Sequence, residues 1–459
     1  MKKAFIETYG CQMNISDTEL MHGILADNGY TAAERPEEAD VILVNTCAIR
    51  DHAEQRVLGR VGQLQQYREG RPDLVIGVTG CMAQRIGDDL LGKAGGVDLV
   101  MGPDGYRSLP QALAELRPGE AKPATSLPVL GNRKTDSGGG LTVLDFDPFE
   151  NYEGIAPRRT SRVSAWVPVQ RGCNYRCTYC IVPYVRGGEK NRDPDHILAE
   201  VRELAASGVP EVTLLGQTVN SYEFGSWDFP ALLRAVANIE GIRRVRFTSP
   251  HPNDFTCDLV QAMAAEPNVC KQLHLPVQSG ADRVLKRMSR RYSVEEYLEK
   301  IEWVREAIPG IALSTDIIVA FPGETEDEYE ATLDLMRRVR FDDAFMYRYS
   351  PRDGTPATRL PEEQFIPEDV GQQRLERLIA LHREIQLDIS RGEVGRTEEV
   401  LVEKEARRGG LQGRTDGNKV VVFEGPTNLI GRFVEVRLTS TTGSTFAGEL
   451  LNTRSQRVA

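Results

Sequence analysis

The stretch RGCNYRCTYC at 171–180 arranges Cys173, Cys177 and Cys180 in a C-x3-C-x2-C pattern, directly after a run of strand-forming residues. Thiolates are the usual protein ligands of iron–sulfur clusters. Three thiolates leave one iron of a four-iron cluster open for a further ligand. The alternative is a zinc site, which normally needs a fourth nearby ligand, but the nearest histidine, His196, lies sixteen residues beyond Cys180. The pattern therefore favours a cluster with a catalytic layout.

Strand and helix patterns alternate around this motif, from Val163 to Pro351. About six strand–helix units predict an open or partial (β/α)6 barrel, because a full barrel needs eight. The strand candidates are Ala165–Gln170, Glu211–Leu215, Val245–Ser249, Gln272–Val277, Ala312–Ala320 and Ala344–Tyr349.

The N-terminal part of the chain shows the same alternation, which predicts a parallel sheet covered by helices. Its strand candidates are Lys3–Tyr9, Val41–Val44, Leu74–Val78 and Val97–Met101. The chain is thus predicted to be an α/β protein with an N-terminal parallel α/β domain at 1–118 and a barrel domain at 161–391. The Pro- and Gly-rich residues 119–160 between them predict a linker.

The C-terminal residues, 392–459, lack the helical pattern. Short alternating runs at Val400–Glu403, Lys419–Phe423 and Phe433–Leu438 predict a small β-barrel.

Three further cysteines, Cys11, Cys47 and Cys81, each follow a predicted strand and precede a predicted helix. Open α/β sheets bind ligands at the carboxyl ends of their strands, and helix N-termini favour thiolates. The three thiols are therefore predicted to converge on a second cluster with an open iron. The alternative is that they are small buried apolar residues. Cys257 and Cys270 lack such a setting, and we interpret both as structural residues.

Composition limits the protein class. The 459 residues are 40% hydrophobic, which suffices for packed cores. They contain no run of eighteen apolar residues and no apolar N-terminal leader, so we expect a cytoplasmic protein without a membrane span. Cysteines in that compartment favour metal binding over disulfides. The net charge of −11 argues against a sequence-independent nucleic-acid binder. Residues from 391 onward, however, hold eleven Lys and Arg against nine Asp and Glu.

The spacing of the first triad, with Tyr179 before its last cysteine, resembles the radical S-adenosylmethionine superfamily. The two triads with their surroundings resemble the methylthiotransferase family over essentially the whole chain. The matching stretches are TYGCQMN, NTCAIRDHAEQRV, GCMAQR, RGCNYRCTYCIVPYVRGGEKNR, LLGQTVNSY, HLPVQSG, TDIIVAFPGETEDE and YSPRDGTPA. The C-terminal stretches GRTDGNKVVVF and IGRFVEVRLT resemble a TRAM domain, a small RNA-binding β-barrel.

Within the family, TYGCQMN resembles the branch that modifies tRNA, the 2-methylthio-N(6)-dimethylallyladenosine synthases. The branch that acts on a protein of the small ribosomal subunit typically has a Pro-Lys pair where this chain has Gln12 and Met13. One departure is Ala320, where the family usually has glycine; we expect it to cause only slightly tighter packing.

The resemblance implies an enzyme with two [4Fe-4S] clusters and S-adenosylmethionine. It implies cofactor cleavage to a 5′-deoxyadenosyl radical at Cys173, Cys177 and Cys180, and sulfur supply, with methylation by a second cofactor molecule, at Cys11, Cys47 and Cys81. The methylthio group would go to carbon 2 of an isopentenylated adenosine beside the anticodon. The C–H bond at this aromatic carbon has no acidity that a base could exploit, so a radical route with an iron–sulfur cofactor is reasonable. The expected partners are tRNA, an electron donor such as flavodoxin or ferredoxin, and a sulfur-cluster carrier; we expect a monomer.

Polar residues at predicted strand ends are candidates for binding the cofactor, because such positions line sites in βα barrels. For each of them the alternative is an ordinary turn residue or, for Arg290, a solvated basic face. The candidates are Gly216, Gln217, Ser249, Gln278, Ser279, Arg290 and the loop residue Glu189.

Basic residues interleaved with aromatic ones in the C-terminal domain suit phosphate contact and base stacking. The candidates for RNA binding are Arg414, Lys419, Phe423 and Arg432. The alternative for the aromatic residues is the barrel core.

Two rival functions stay open at this stage. One is the same chemistry on a ribosomal protein or on a threonylcarbamoyl adenosine. The other is a non-catalytic RNA-binding protein with structural metal, which predicts a fourth local ligand for each triad.

Overall fold

The computed structural model describes residues 1–48, 51–93, 96–117, 134–135, 140–159 and 161–452. Their contacts divide the chain into two units. The first unit comprises Met1–Thr160, Gln170–Arg176 and Cys180–Arg192, and the second comprises Ser161–Val169, Cys177–Tyr179 and Asp193–Ala459. Part of the segment around the C-x3-C-x2-C motif at 173–180 therefore belongs to the same unit as the N-terminal sheet.

The first unit is built on a sheet of seven strands, six of which are parallel. The order across the sheet is Tyr30–Ala32, Lys2–Tyr9, Val41–Thr46, Val75–Gly80, Leu99–Met101, Leu141–Val143 and the antiparallel Lys134–Thr135. A separate pair of short strands joins Gln170–Arg171 to Lys190–Asn191. The predicted parallel α/β fold is confirmed.

Helices cover both faces of this sheet. One apolar layer includes Leu20, Leu25 and Leu109, and the other includes Val57 and Val61. The α-helices are Gln12–Asp27, Asp51–Leu64, Cys81–Ile86, Asp89–Lys93, Leu109–Glu115 and Val182–Val185, and the 3-10 helices are Pro36–Glu38, Gln65–Arg68 and Pro103–Ser108.

The prediction of a linker over 119–160 is wrong at Leu141–Val143. This short run pairs with Leu99–Met101 in the sheet, and its ends are fixed by backbone bonds from Leu141 N to Asp98 O and from Gly102 N to Val143 O, both 2.8 Å. Three strand residues beside a glycine run are too few to produce a periodic signal. About half of the remaining predicted linker lies outside the described residues.

The second unit contains six parallel strands in two three-stranded sheets, as expected for a partial barrel. Val245 links the sheets through a bridge to Val269 and a hydrogen bond from Cys270 N at 3.0 Å. The strands are Ser164–Pro168, Glu211–Leu215, Arg244–Phe247, Gln272–His274, Ala312–Val319 and Asp343–Arg348. The α-helices are Pro194–Ala206, Phe229–Ala237, Cys257–Ala265, Asp282–Arg287, Val294–Ala307, Glu326–Val339 and Glu368–Arg391. Shorter elements are the hairpin Glu223–Phe224 with Trp227–Asp228 and the 3-10 helices Val219–Ser221, Pro252–Asp254, Pro356–Arg359, Glu362–Gln364 and Thr427–Leu429.

The C-terminal residues form a closed five-stranded barrel, which confirms the predicted fold class. Sequence analysis missed Leu411–Arg414, which contains a glycine, and Thr445–Asn452. The strands in barrel order are Thr397–Glu405, Leu411–Arg414, Val420–Phe423, Thr445–Asn452 and Phe433–Thr441.

Two buried arginines connect this barrel to the strand Arg244–Phe247. Arg244 donates to the backbone carbonyls of Arg414 and Glu399 at 2.9 and 2.7 Å. Arg246 donates to those of Asp416 and Thr415, both at 2.8 Å. Removing the barrel would take these backbone acceptors away from both buried guanidinium groups, so point variants are better tests of its function than a deletion.

Ala320 has a left-handed backbone, with φ at +58°. The expectation that this residue changes only packing is therefore wrong, because the conformation costs an L-residue about 1–2 kcal/mol that glycine does not pay.

We therefore expect Ala320→Gly to be better tolerated than the same change in a regular helix. Ala235, inside the helix Phe229–Ala237, is the matched control, because a glycine there costs about 1 kcal/mol. In urea unfolding, Ala320→Gly should be more stable than Ala235→Gly by at least about 1 kcal/mol. Equal stability of the two variants would refute the strain at Ala320.

The helices of the described residues are all too short or too polar to cross a membrane.

Candidate iron–sulfur sites

The register of three parallel strands brings Cys11, Cys47 and Cys81 to one edge of the N-terminal sheet. Tyr9 pairs with Thr46, and Thr46 pairs with Gly80. Each cysteine follows one of these aligned residues by one or two positions. Because parallel strands run in the same direction, the three segments that carry the cysteines leave the sheet at the same edge.

Cys11 and Cys47 contact each other. Cys11 is the N-cap of the helix Gln12–Asp27, and a β-carbon on Gly10 would come within 2.8 Å of the Cys47 β-carbon. A hydrogen bond with the Cys47 side chain lowers the pKa of Cys11 to about 6 against the effect of burial. The charge of Arg186 and nearby backbone amides act in the same direction. The thiolate form of Cys11 is therefore favoured.

Cys81 lies against Arg186. Burial raises the pKa of the Cys81 thiol, and the charge of Arg186 opposes this effect. The Nε of Arg186 donates to the Cys81 Sγ at 3.2 Å. This places a permanent positive charge at the third thiol.

A buried carboxylate holds Arg186 in place. Asp17 accepts from Arg186 Nη2 at Oδ2 and from Arg171 Nη2 at Oδ1, both at 2.7 Å. Burial alone would raise the pKa of Asp17, but the two guanidinium groups hold it below its usual range. The Asp17 side chain is fully buried and those of the arginines nearly so.

Asn14 and Asn45 complete the polar lining beneath the thiols. Asn14 Nδ2 donates to Asn45 Oδ1 and Thr46 O at 3.3 and 3.2 Å, and Asn45 Nδ2 donates to Asn14 O and Thr18 Oγ1 at 2.8 and 3.0 Å. Sequence analysis missed Asn14 and Asp17. The available signal was the row of polar residues Asn14, Asp17 and Thr18 at helical spacing on one face.

The donor set at this edge suits an iron–sulfur cluster. All eight cysteines are free thiols, and three of them meet here beside a guanidinium group. Within the described part of the chain, no group of three or more Cys, His, Asp or Glu side chains is already positioned to coordinate a metal ion. The fit therefore rests on chemistry: thiolates bind iron, and three of them leave one iron open.

The cysteine motif at 173–180 begins in a tightly folded loop. Gly172 has φ at +75°, and a β-carbon there would lie 1.9 Å from Gly188 O, so only glycine fits. Cys173 N donates to Gly187 O at 3.2 Å. Glu189 N donates to Asn174 Oδ1 at 3.1 Å, and Asn174 N to Glu189 Oε1 at 3.4 Å. Glu189 thus shapes the cysteine loop.

The middle of the motif belongs to the second unit. Thr178 donates through its N and Oγ1 to Met288 O at 3.0 Å and Arg287 O at 2.9 Å. Tyr179 packs against the apolar group that contains Phe321 and Tyr349. Cys173 and Cys177 are buried and Cys180 is half-buried. Three free thiols on one loop again suit a cluster with an open iron.

Two of the predicted cofactor-binding residues have a strained backbone. Ser249 and Gln278 follow barrel strands and have φ at +60° and +74°. Such non-glycine residues cluster at functional sites. Gln278 is tied to the neighbouring strand by hydrogen bonds to Asp316 O at 2.9 Å and from Ile318 N at 3.0 Å.

The other candidates take varied positions. Gly216 and Gln217 follow Glu211–Leu215, and Ser279 is fully buried. Arg290 is buried instead of lying on a solvated face, with its guanidinium 5.8 Å from the Tyr292 ring centroid.

His251, which the sequence did not mark as a site residue, lies near Arg290. Burial, helped by the charges of Arg290 and Lys300, lowers the pKa of His251 to about 2, so its imidazole is neutral at physiological pH. Its backbone pairs with the Asn220 side chain at 2.7 and 2.9 Å.

The four predicted RNA-binding residues do not form one patch. Phe423 is buried in the barrel core and cannot stack on a base. Lys419 Nζ lies 2.5 Å from Asp342 Oδ1 and 2.9 Å from Glu393 Oε1. Arg414 pairs with Glu403 at 3.1 Å, and only Arg432 is exposed without a described partner. The burial of Phe423 corrects the sequence-based interpretation of that residue, because alternation cannot distinguish barrel core from a stacking surface.

Comparison with known proteins matches three family models to the chain. Residues 3–102 match the uncharacterized protein family UPF0004, residues 167–336 match the radical SAM superfamily, and residues 391–451 match the TRAM domain. Two solved structures share the fold: the radical S-adenosylmethionine methyltransferase TsrM from Kitasatospora setae and the cobalamin-dependent enzyme OxsB. TsrM has a TM-score of 0.59 and 15% identity, covering 83% of this chain and 91% of TsrM. OxsB has a TM-score of 0.55 and 14% identity, covering 83% of this chain and 56% of OxsB.

The fold and the cysteine motif thus define a radical S-adenosylmethionine enzyme with an added TRAM domain. Proteins named tRNA-2-methylthio-N(6)-dimethylallyladenosine synthase are similar to it over nearly its whole length. The one from Chlorobium luteolum is 43% identical, covering 97% of both chains, and the one from Thermoanaerobacter sp. is 45% identical, covering 97% of this chain and 92% of the relative. The chain belongs to this family.

Proposed function

We propose that the chain transfers a methylthio group to carbon 2 of N(6)-isopentenyladenosine beside the anticodon of a tRNA. The observation that carries this proposal is the meeting of Cys11, Cys47 and Cys81 at one sheet edge, in a chain that also carries C-x3-C-x2-C. Two open three-thiol sites suit a reaction that needs both a radical and a sulfur atom. The names of the relatives support the substrate.

Cys173, Cys177 and Cys180 would hold the first [4Fe-4S] cluster, which when bound supplies an electron for reductive cleavage of S-adenosylmethionine. Gly216, Gln217, Ser249, Gln278, Ser279 and Arg290 are the candidates for binding the cofactor, with Glu189 shaping the loop. The strained backbone at Ser249 and Gln278 supports this role. The electron would come from a donor such as flavodoxin or ferredoxin.

Cys11, Cys47 and Cys81 would hold the second cluster, which when bound supplies the sulfur. Asp17 and Arg186 would orient the thiols and exclude water from them. A second molecule of S-adenosylmethionine would provide the methyl group, and the hydrogen of carbon 2 would leave in 5′-deoxyadenosine. A sulfur-cluster carrier would restore the site after each turnover.

Residues 1–118 would then carry the sulfur site, 161–391 the radical chemistry and 392–459 the contact with tRNA. Of the four residues considered for RNA binding, Arg432 is the one whose exposure supports phosphate contact. We propose that the protein acts in the cytoplasm, since its proposed substrate and partners are found there. We also propose that it is a monomer.

The test is the choice of substrate. Iron-loaded enzyme is incubated without oxygen with S-adenosylmethionine, reductant and one of three substrates: isopentenylated anticodon-loop RNA, the same RNA without the isopentenyl group, or a small-subunit ribosomal protein. Mass spectrometry of the nucleosides should find methylthio product only with the isopentenylated RNA. Modification of the ribosomal protein alone would make the chain a protein methylthiotransferase and refute the proposal.

A further inference from the structure

One face of the barrel strand Ala312–Val319 is partly open. Ile317 and Val319 belong to the main apolar core with the covering helices. Ser314 and Asp316, which alternate with them along the strand, stay partly exposed. Because helices cover the outside of a βα barrel and successive side chains point to opposite faces, the open face lines the barrel interior. The interior therefore contains the carboxylate of Asp316.

The Asp316 carboxylate has unused hydrogen-bonding capacity. Its side chain is 29% exposed, and its Oδ2 lies 3.6 Å from Nε2 of His274, which is too far for a hydrogen bond. No hydrogen bond reaches either carboxylate oxygen from the residues that the structure describes. His274 is itself fixed, because its Nδ1 shares a hydrogen bond of 3.0 Å with Ser314 Oγ. A carboxylate is a strong acceptor, so this group is available to a donor on a ligand.

Phe345 places an exposed aromatic ring beside this carboxylate. It is the register partner of Asp316 on the neighbouring strand Asp343–Arg348, so the two side chains project from the same face. The residue is 49% exposed, and its ring meets the His274 ring edge to face with centroids 5.7 Å apart. A half-exposed ring in a concave interior offers apolar area that a ligand can cover.

The same strand connects these side chains to the proposed radical site. Gln278, a candidate for cofactor binding, donates from its backbone N to Asp316 O at 2.9 Å. Two residues beyond Asp316 on the open face, Ile318 packs against the same apolar group as Tyr179 of the cysteine motif. A ligand bound to Asp316 and Phe345 would therefore lie next to residues that are proposed to serve the radical chemistry.

An acceptor and an apolar ring side by side match an alkylated amino group, which has one N–H to donate and one carbon chain to bury. N(6)-isopentenyladenosine carries both on the same nitrogen. We propose that Asp316 accepts the N(6)–H of the target base and that Phe345 packs against its isopentenyl chain. This inference rests on the proposed function and names two residues that select its substrate. An unmodified adenine would satisfy only Asp316, and a doubly alkylated amine would leave Asp316 without a donor.

The test measures binding in the absence of turnover. Iron-loaded protein with S-adenosylmethionine but no reductant is titrated, without oxygen, with anticodon stem-loop RNAs that differ only at the target adenosine. This adenosine is isopentenylated, unmodified, N(6)-methylated or N(6),N(6)-dimethylated. Fluorescence anisotropy gives the dissociation constants. The ratio of two dissociation constants cancels the contacts to the rest of the RNA, which a merely structural effect would change equally for both.

Phe345→Ala should lose about tenfold of the wild-type preference for isopentenylated over unmodified RNA, because the chain no longer covers an aromatic ring. Asp316→Ala should lose about tenfold of the preference for N(6)-methylated over N(6),N(6)-dimethylated RNA, which is the value of one hydrogen bond to a charged group. Each variant should keep the preference that the other one loses.

Phe224→Ala and Asp334→Ala are matched controls, since they remove another exposed ring and another exposed carboxylate. Both should keep the two preferences. The inference is overturned if Phe345→Ala keeps the full preference for isopentenylated RNA, or if Asp316→Ala keeps that for singly methylated RNA. If Asp316→Ala does not load iron, Asp316→Asn decides, because its neutral amide accepts a weaker hydrogen bond and should show a smaller preference than the wild type.

A wild type that lacks either preference also overturns the inference. Product formation tests the proposed function separately. A wild type that shows both preferences, yet forms no methylthio nucleoside on the isopentenylated RNA once reductant is added, would contradict the proposed function and not the binding of the base.

Discussion

Iron-loaded Cys177→Ala should form no 5′-deoxyadenosine, whereas Cys47→Ala should still form it but yield no methylthio nucleoside. Cys177 lies in the middle of the C-x3-C-x2-C loop. Reductive cleavage of S-adenosylmethionine requires the cluster that this loop is proposed to hold. Cys47 follows the strand Val41–Thr46 in the other triad, where the sulfur is expected to be held. Both products are measured in one reaction by liquid chromatography and mass spectrometry.

Cys257 and Cys270 provide matched controls for these variants. Cys257 is exposed at the start of a helix. Cys270 is buried, and burial raises the pKa of its thiol, which disfavours metal binding. Alanine at either position should leave both products. Formation of 5′-deoxyadenosine by Cys177→Ala would refute the division of labour between the triads.

The strands and the cysteines at their ends were predictable because both signals are local. Buried runs such as VILVNT at 41–46 stand out as parallel strands, and Cys47 follows directly. Since parallel strands end at one edge, sequence position implied spatial convergence of the three thiols. The six barrel strands were found by the same reasoning, with bounds shifted by a few residues at their ends.

The partners of the thiols were not predictable, because they come from distant parts of the chain. Asp17 and Arg186 are 169 positions apart, and Arg186 and Cys81 are 105 apart. In sequence, Arg186 is one of several basic residues in a glycine-containing loop. Only folding shows that it leaves the radical motif and packs beside the other triad.

The residues predicted to bind RNA show where a local sequence pattern is ambiguous. Lys419 and Phe423 matched a basic–aromatic pattern, yet the first is neutralised by Asp342 and Glu393 and the second fills the barrel core. Alternation along a strand gives two faces, but it does not say which face a closed barrel turns inwards.

The central claim is that one chain holds two clusters on two separate triads. Counting iron and sulfide in anaerobically reconstituted protein tests it most directly. The wild type should hold about eight irons per chain, since each four-iron cluster needs its own set of thiolates. Changing Cys173, Cys177 and Cys180 together to alanine should remove about half of the iron, and so should changing Cys11, Cys47 and Cys81 together.

Changing all six cysteines of the two triads should leave almost no iron. The control that combines Cys257→Ala with Cys270→Ala should keep the full amount. Each triple variant should also retain the visible absorption and electron paramagnetic resonance of a single cluster. The claim is contradicted if either triple variant keeps the iron content of the wild type, or if the wild type holds only about four irons per chain.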